Sequence, residues 1–250
     1  MKLVFLGSSS AFDLDQANFH SNMILDSENG SRLLIDCGSD IPYSLQKSGY
    51  QWSDITHIYL SHLHDDHVGG IEWLIYHIRA MGAEKPTLFL SSHLVEDLWD
   101  RVLLGGVKTE DNDGLESYFQ VVPIPDNKPF IWEKISFQLI QVLHVLNGFQ
   151  ILPCYGLMFA INGTTAFLTA DTQFTLSLLL KYYQDADIIF HDCETELENS
   201  GVHAHYSDLK TLAPEIKSKM WLYHYDPGEL PDAQKDGFQG FVQPGQIFSF

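Results

Sequence analysis

The chain has 250 residues, of which 45% are hydrophobic and 19% are charged, so it can bury a large folded core. Its 33 acidic and 14 basic residues give a formal net charge of −19, which argues against long RNA or DNA as a partner because a negative surface repels polyanions. No apolar run is long enough for a signal peptide or a membrane span, and the three cysteines lack a Cys-x-x-Cys spacing, so we expect a soluble, cytoplasmic protein with reduced thiols.

Strand and turn signals dominate the first part of the chain. Residues 2–6 form an apolar run closed by Gly7, which predicts a first strand. An Asn29-Gly30 pair between two apolar runs predicts a β-hairpin, because this dipeptide favours tight hairpin turns. A short helix is expected over residues 41–48, and the apolar run 55–60 predicts the next strand.

The most informative stretch follows that strand and reads His62-Leu63-His64-Asp65-Asp66-His67. Alternate residues of a strand point to the same side, so His62 and His64 can face one point, whereas Asp66 and His67 follow in the turn. Neutral imidazole and carboxylate are common ligands of zinc and similar ions. The stretch therefore predicts a metal site, with room for two neighbouring ions, rather than a histidine-rich surface turn.

Helices and strands alternate in the rest of the chain. Apolar residues recur at helical spacing over 71–78, and Thr172 and Ser207 are each placed to cap a helix. Asn162-Gly163 predicts a second hairpin. Since the sequence contains neither an internal repeat nor a linker, we expect one layered α/β domain over residues 1–250.

Three further metal-binding residue types stand just after apolar strands, namely His144, Asp171 and His224. Layered folds collect their functional loops at strand ends, so the repeated placement is consistent with additional ligands. Each residue taken alone fits an ordinary structural role equally well.

Taken in order, these motifs closely resemble the metallo-β-lactamase superfamily. Its signature is His-x-His-x-Asp-His at a strand-to-helix turn, then a distant His, an Asp in a Thr-Ala-Asp-Thr context and a late His, and Ile35-Asp36-Cys37-Gly38 matches another of its motifs. The resemblance implies an αββα four-layer sandwich with two divalent metal ions, for which zinc is the first choice and manganese or iron are chemically suitable. It also implies the ligands, which are His62, His64 and His144 for one ion, Asp66, His67 and His224 for the other, and Asp171 as the bridge.

Within the superfamily, Asp171 in place of a cysteine argues against a true β-lactamase. The run Phe190-His191-Asp192-Cys193-Glu194, followed by His203-Ala204-His205, is similar to the branch that contains RNase Z and small cyclic-nucleotide phosphodiesterases. A histidine of this segment assists the phosphate chemistry in that branch, which makes His203 and His205 candidate catalytic residues together with Asp66. His203 matches the position best, whereas His205 stands where the branch often has a hydroxyl residue. Asp36, Asp192 and Glu194 are candidates to orient the imidazoles.

The resemblance implies a phosphodiesterase acting on a small nucleotide, with a cyclic nucleotide preferred, similar to the anti-Pycsar nucleases of phages and their cellular relatives. Two metals would share a water, lower its pKa and make hydroxide available for attack on phosphorus. RNase Z itself fits less well, because the 26 residues between His144 and Asp171 (145–170) leave no room for its tRNA-binding arm.

Three alternatives remain open on the sequence, namely a nuclease of the RNase Z type, a lactone or thioester hydrolase of the same superfamily, and a metal-binding protein without activity. Dimerisation is common in the branch, so a homodimer is consistent with the resemblance.

Overall fold

The computed structural model describes residues 1–12, 18–111 and 113–250. The strands are β1 (Lys2–Phe5), β2 (Met23–Asp26), β3 (Arg32–Ile35), β4 (His57–Leu60), β5 (Thr87–Ser91), β6 (Gln120–Ile124), β7 (Pro129–Trp132), β8 (Ile135–Gln141), β9 (Leu146–Asn147), β10 (Gln150–Ile151), β11 (Tyr155–Ile161), β12 (Thr164–Leu168), β13 (Ile188–Asp192), β14 (Met220–Tyr223), β15 (Gly240–Phe241) and β16 (Ile247–Ser249). The α-helices are α1 (Ile41–Lys47), α2 (Asp65–Val68), α3 (Ile71–Met81), α4 (Val95–Asp97), α5 (Leu104–Val107), α6 (Leu176–Asp185), α7 (Tyr206–Leu209) and α8 (Pro214–Lys217). There are also 3₁₀ turns at Trp52–Asp54 and Leu115–Ser117 and a π-helical segment at Leu98–Leu103.

The chain forms two compact units. Unit 1 comprises Met1–Gly7, Phe19–Lys128 and Gly245–Ser249, and its seven-stranded sheet has the order β16-β1-β2-β3-β4-β5-β6. Neighbours are antiparallel from β16 to β3 and parallel from β3 to β6. The parallel strands β4 and β5 are nearly continuous apolar runs because both of their faces are buried.

The parallel strands of unit 1 bring two polar segments to one edge of its sheet. β3 and β4 run in the same direction, so the residues that follow them leave the sheet at the same side. Asp36 follows β3, and His62–His67 follow β4, with α2 beginning at Asp65. The fold thus gathers the histidine cluster and Asp36 in unit 1.

Unit 2 comprises Ser8–Asn18, Pro129–Pro244 and Phe250. Its sheet has the order β15-β14-β13-β12-β11-β8-β7, parallel from β12 to β15 and antiparallel from β12 to β7. Helix α6 contributes Leu179 and Tyr183 to its hydrophobic core. Since β8, β12, β13 and β14 all run in one direction, His144, Asp171, Asp192 and His224 leave the sheet at one edge.

The local predictions are largely confirmed. The Asn29-Gly30 and Asn162-Gly163 pairs lie between paired strands, and α3 covers the predicted apolar helix. Two predicted caps are wrong. Helix α6 begins at Leu176 with Thr175 at its N-cap, and the hydroxyl of Thr172 instead donates to the carbonyls of Leu143 and Gln173. Ser207 lies inside α7, whose N-cap is His205.

The α/β class is confirmed by these two mixed sheets, whereas the single domain over residues 1–250 stays a prediction. Within the described ranges, no helix is both long enough and apolar enough to cross a membrane.

The aromatic core of unit 2 gives a stability prediction. Phe137 is fully buried, and its ring centroid lies 4.9 Å from Phe130 and 5.0 Å from Phe159. We expect Phe137→Ala to lower the free energy of unfolding by about 3–5 kcal/mol, because it removes buried area and leaves a cavity. Urea unfolding measures this change.

The matched control is Ile131→Ala on β7, whose side chain is 60% exposed. We expect it to change the free energy of unfolding by less than about 0.5 kcal/mol. Equal losses for the two variants would contradict the packing described here.

Candidate metal centre

A buried carboxylate, Asp36, organises the histidine cluster of unit 1. Its Oδ1 accepts a hydrogen bond from the backbone N–H of Ser61 at 2.8 Å, and its Oδ2 accepts one from the Ser61 hydroxyl at 2.8 Å. Oδ2 also lies 2.8 Å from Nδ1 of His67. Because a carboxylate only accepts, Nδ1 of His67 carries a proton and its Nε2 is left as an electron-pair donor.

The second nitrogen of His67 faces Asp66, with 3.1 Å between Nε2 and Oδ2. Two electron-pair donors at this distance repel each other unless a cation or a proton lies near both. Both side chains are buried. The pair therefore fits a divalent metal ion, as the sequence predicts.

The other pair of the cluster, His62 and His64, is also brought together. Nε2 of His62 lies 3.1 Å from Nδ1 of His64, and the two ring centroids are 4.6 Å apart. Nδ1 of His62 is 3.0 Å from the hydroxyl of Ser61, which itself donates to Asp36. The Ser61 oxygen can thus accept from Nδ1 and leave Nε2 for a ligand.

In unit 2 a second buried carboxylate, that of Asp192, contacts histidines as Asp36 does in unit 1. Its Oδ2 accepts from the backbone N–H of Thr172 at 2.8 Å and lies 2.9 Å from Nδ1 of His203, and its Oδ1 lies 3.4 Å from Nδ1 of His224. Burial raises the pKa of this carboxyl, but the two imidazoles outweigh burial and lower the pKa to about 2.

Asp171 is the carboxylate on which the predicted ligands of unit 2 converge. Its Oδ2 lies 3.4 Å from Nε2 of His224 and 3.7 Å from Nε2 of His144. Nδ1 of His144 donates to the carbonyl of Val202 at 2.7 Å, so its Nε2 is the nitrogen available to a metal. Burial lowers the pKa of His144, which favours the neutral form that metals bind.

The side chain of His203 lies close to Asp171 and His224, whereas that of His205 contacts other residues. Nδ1 of His203 is 4.0 Å from Asp171, and its ring stacks on His224 with centroids 4.8 Å apart. The ligand atoms of Asp171, Asp192, His203 and His224 all lie within 4.8 Å of one another. Burial lowers the pKa of His203, but Asp192 more than compensates, so the pKa lies above its ordinary value.

His205 makes two contacts elsewhere in unit 2. Its Nδ1 lies 2.7 Å from the hydroxyl of Ser207, and its Nε2 lies 2.9 Å from the carbonyl of Glu196. These contacts place it at the start of α7. The catalytic role of His205 stays a prediction.

Three residues within or next to the donor segments have strained backbone conformations. Asp36, Ala170 and His224 adopt left-handed conformations, with φ of 62°, 53° and 61°. Non-glycine residues in this region cost about 1–3 kcal/mol each and persist only where the surrounding structure holds them. The backbone of His224 is held by a hydrogen bond of 2.8 Å from its N–H to the carbonyl of Ser8.

Asp192 contributes more than the sequence indicates. It was one of three candidates to orient imidazoles, yet its carboxylate contacts two histidines and the amide that follows Asp171. Its position as the last residue of β13, between β12 and β14, could have identified it once the strand order was known. Glu194 instead accepts a hydrogen bond of 3.0 Å from the backbone of Ser200.

The role of Asp36 can be tested through metal affinity. Asp36→Asn keeps a residue type that tolerates the left-handed backbone but removes the charge that holds Nδ1 of His67. We expect the zinc affinity to fall by about 10–100-fold, as is usual when the oxygen that orients a ligating imidazole is lost. Competition with a chromophoric chelator measures this affinity.

Asp111→Asn, at a fully exposed carboxylate of unit 1, is the matched control and should leave the zinc affinity unchanged. Equal affinities for Asp36→Asn and the wild type would contradict the role of Asp36.

The sequence of the chain is similar to that of a known protein family. A family model described as "Anti-Pycsar protein Apyc1" matches residues 1–248. The chain is 34% identical over 248 residues to the anti-Pycsar protein Apyc1 of Paenibacillus harenae, which covers 98% of both chains.

The fold is shared with several known structures. The metallo-β-lactamase fold protein YhfI from Bacillus subtilis has a TM-score of 0.76 at 17% identity, covering 99% of this chain and 98% of its own. The short form of human tRNase Z has a TM-score of 0.70 at 18% identity over 100% and 99% of the two chains. Zn²⁺-bound PqqB from Methylobacterium extorquens has a TM-score of 0.74 at 13% identity over the full length of both.

The metallo-β-lactamase fold expected from the motifs is therefore confirmed. Family, fold and donor sets together also confirm the predicted class, a metal-dependent hydrolase. By its match over nearly the full length, the chain belongs to the anti-Pycsar Apyc1 family.

Proposed function

We propose that the donor sets of the two units together hold two divalent metal ions and that the protein hydrolyses the phosphodiester of a cyclic nucleotide. The observation that carries the proposal is the His203–Asp192 pair beside Asp171, in a chain of the anti-Pycsar family. The name of the relatives refers to cyclic-nucleotide signalling, which favours a cyclic nucleotide as the substrate.

The proposed ligands follow the donor pairs of each unit. His62 and His64 supply two nitrogens 3.1 Å apart, and Asp66 and His67 form the other pair of unit 1. In unit 2, Asp171 faces Nε2 of both His144 and His224, which supports its proposed role as the bridge. We assign His62, His64 and His144 to one ion, Asp66, His67 and His224 to the other, and Asp171 to both.

Zinc is the preferred metal because the donor sets are rich in imidazole. When bound, two such ions would lower the pKa of a shared water and neutralise charge on the phosphoryl oxygens.

His203 is the proposed proton donor to the leaving sugar oxygen. Asp192 accepts from its Nδ1 at 2.9 Å, which fixes the orientation of the ring and stabilises its protonated form. In that form Nε2 also carries a proton, which it can donate. Asp192 is thus a positioning residue that acts through His203.

Two observations favour a small phosphodiester over the alternatives. The net charge of −19 disfavours a long polyanion such as pre-tRNA. The half-buried His203, paired with the buried Asp192, supplies a proton donor, which a poor leaving group such as a sugar alkoxide needs.

The test of the proposal is a substrate panel with the zinc-loaded protein. We expect hydrolysis of cyclic mononucleotides and of bis(p-nitrophenyl) phosphate, with no turnover of pre-tRNA, an acyl lactone or a glutathione thioester. Asp171→Ala should abolish the phosphodiesterase activity and reduce the bound zinc, because it removes the carboxylate shared by both sets.

Circular dichroism of Asp171→Ala serves as the control that the fold is retained. Cleavage of the lactone but of no phosphodiester would assign the protein to the alternative hydrolase class. Full activity of Asp171→Ala would contradict the bridging role.

A paired substitution separates the two candidate catalytic histidines. We expect His203→Ala to lower kcat by about 100–10,000-fold with the zinc content unchanged, because it removes a positioned proton donor. We expect a much smaller loss for His205→Ala, since both nitrogens of His205 contact Ser207 and Glu196. Steady-state kinetics and metal analysis provide the measurements.

A larger loss of kcat for His205→Ala than for His203→Ala would reverse the assignment. Loss of zinc from His203→Ala would make His203 a ligand rather than a proton donor.

A further inference from the structure

A buried hydroxyl, that of Thr169, connects the two acidic segments of unit 2. Thr169 directly follows β12, lies two residues before Asp171 and is fully buried. Its Oγ1 accepts a hydrogen bond from the backbone N–H of Asp192 at 3.0 Å and donates one to the carbonyl of Ala170 at 2.8 Å. One side chain thus contacts both the segment of the proposed bridge and the residue that orients His203.

The partners fix the direction of both hydrogen bonds. A backbone N–H can only donate and a carbonyl can only accept, whereas a hydroxyl offers one proton together with acceptor lone pairs. The proton of Thr169 is therefore used on Ala170, and the N–H of Asp192 is bound through a lone pair. A side chain of the same shape without an oxygen would take this partner from both backbone groups, which is costly in a buried place.

The hydroxyl acts where the chain leaves the sheet. β12 and β13 are parallel, and the backbone N–H of Thr169 donates to the carbonyl of Phe190 on β13 at 3.0 Å. Ala170 then adopts a left-handed conformation, with φ of 53°, so the chain turns away from β13. The Thr169 hydroxyl therefore extends the connection between the two strands as far as Asp192.

The segment that carries Asp171 is also held by β11. A Cβ on Gly156 of β11 would lie 2.6 Å from the carbonyl oxygen of Thr169, so the two backbones approach closely there. The thiol of Cys154, just before β11, donates to the carbonyl of Asp171 at 3.3 Å. Because these contacts do not involve the Thr169 hydroxyl, we expect Asp171 to keep its place when the hydroxyl is removed.

The spacing of the two segments matters because His203 lies near two carboxylates. Nδ1 of His203 is 2.9 Å from Oδ2 of Asp192 and 4.0 Å from Oδ2 of Asp171, and only the shorter distance is a hydrogen bond. A displacement of about 1 Å would therefore decide which carboxylate the ring binds. The same oxygen of Asp171 faces His144 and His224, so an imidazole bound to it would compete with the proposed metal ions.

We propose that Thr169 is a positioning residue whose hydroxyl holds Asp192 at the distance where Asp192, and not Asp171, binds Nδ1 of His203. Thr169 thereby leaves the oxygens of Asp171 to the proposed metal ions and keeps the proposed proton donor in one orientation. This inference rests on the proposed function, because it concerns the same site.

The experiment replaces the hydroxyl of Thr169 with a methyl group of nearly the same size. We expect Thr169→Val to lower kcat for adenosine 3′,5′-cyclic monophosphate by about 10–100-fold, as is typical when a residue that orients the groups of a metal site is lost. KM and the zinc content should change little, because the proposed ligands stay in place. Thr169→Ser, which keeps the hydroxyl, should restore most of kcat.

Two controls separate this role from a general loss of stability. Thr165→Val makes the same substitution on β12, where Thr165 bonds Asp187 through its backbone, and should leave kcat unchanged. Phe137→Ala removes a buried ring of the same unit and should lower the stability but not kcat.

If Thr169→Val does not fold, Thr169→Ala takes its place with the same expected loss. An unchanged kcat for the variant without the hydroxyl would overturn the inference. The same holds if Thr169→Ser is equally slow, or if either control loses as much kcat.

A measurement without turnover separates the inference from the proposed function. The proton that Nδ1 of His203 shares with Asp192 gives its own NMR signal in the zinc-loaded protein, and His203→Ala identifies this signal by removing it. We expect the signal in the wild type and in Thr169→Ser, and we expect it to be shifted or lost in Thr169→Val. If no cyclic nucleotide is hydrolysed, the proposed function falls, and this signal still decides the inference. An unchanged signal in Thr169→Val would overturn it.

Discussion

A buried carboxylate at the end of a parallel strand fixes the imidazoles in each unit, and the rest of the candidate site depends on this interaction. Asp36 contacts Nδ1 of His67 at 2.8 Å, and Asp192 contacts Nδ1 of His203 at 2.9 Å. An imidazole has two nitrogens, so an oxygen on Nδ1 decides that Nε2 faces the ligand. The same arrangement therefore occurs in both units, where it leaves Nε2 of His67 for a proposed metal ion and fixes the ring of His203, the proposed proton donor.

The sheets supply the positions that this device requires. Parallel strands bring their carboxyl ends to one edge, which is where each unit presents its donors. The left-handed residues Asp36, Ala170 and His224 turn the chain sharply at these ends. Their strain is stored next to the donors, where the surrounding hydrogen bonds hold it.

Much of this arrangement could be predicted because its signals are local. The six-residue cluster contains four of the seven proposed ligands, and the Asn-Gly hairpins follow from the positive φ that such turns demand. His144, Asp171 and His224 were recognisable as donors after apolar strands, although only the resemblance to a family assigned them to a common site.

The contacts that could not be predicted from the sequence depend on the order of the strands in the sheet. The contacts of Asp192 arise because β13 lies between β12 and β14, and the Thr172 hydroxyl, predicted to cap a helix, instead donates to the carbonyls of Leu143 and Gln173.

The central proposal is that two donor sets, sharing Asp171, hold two metal ions. Anomalous diffraction at the zinc edge from crystals of the zinc-loaded protein tests it most directly. We predict two peaks about 3.5–4 Å apart, one beside His62 and His64 and the other beside Asp66 and His67, with the carboxylate of Asp171 between them. A single peak, or two peaks that both lie away from Asp171, would contradict the account.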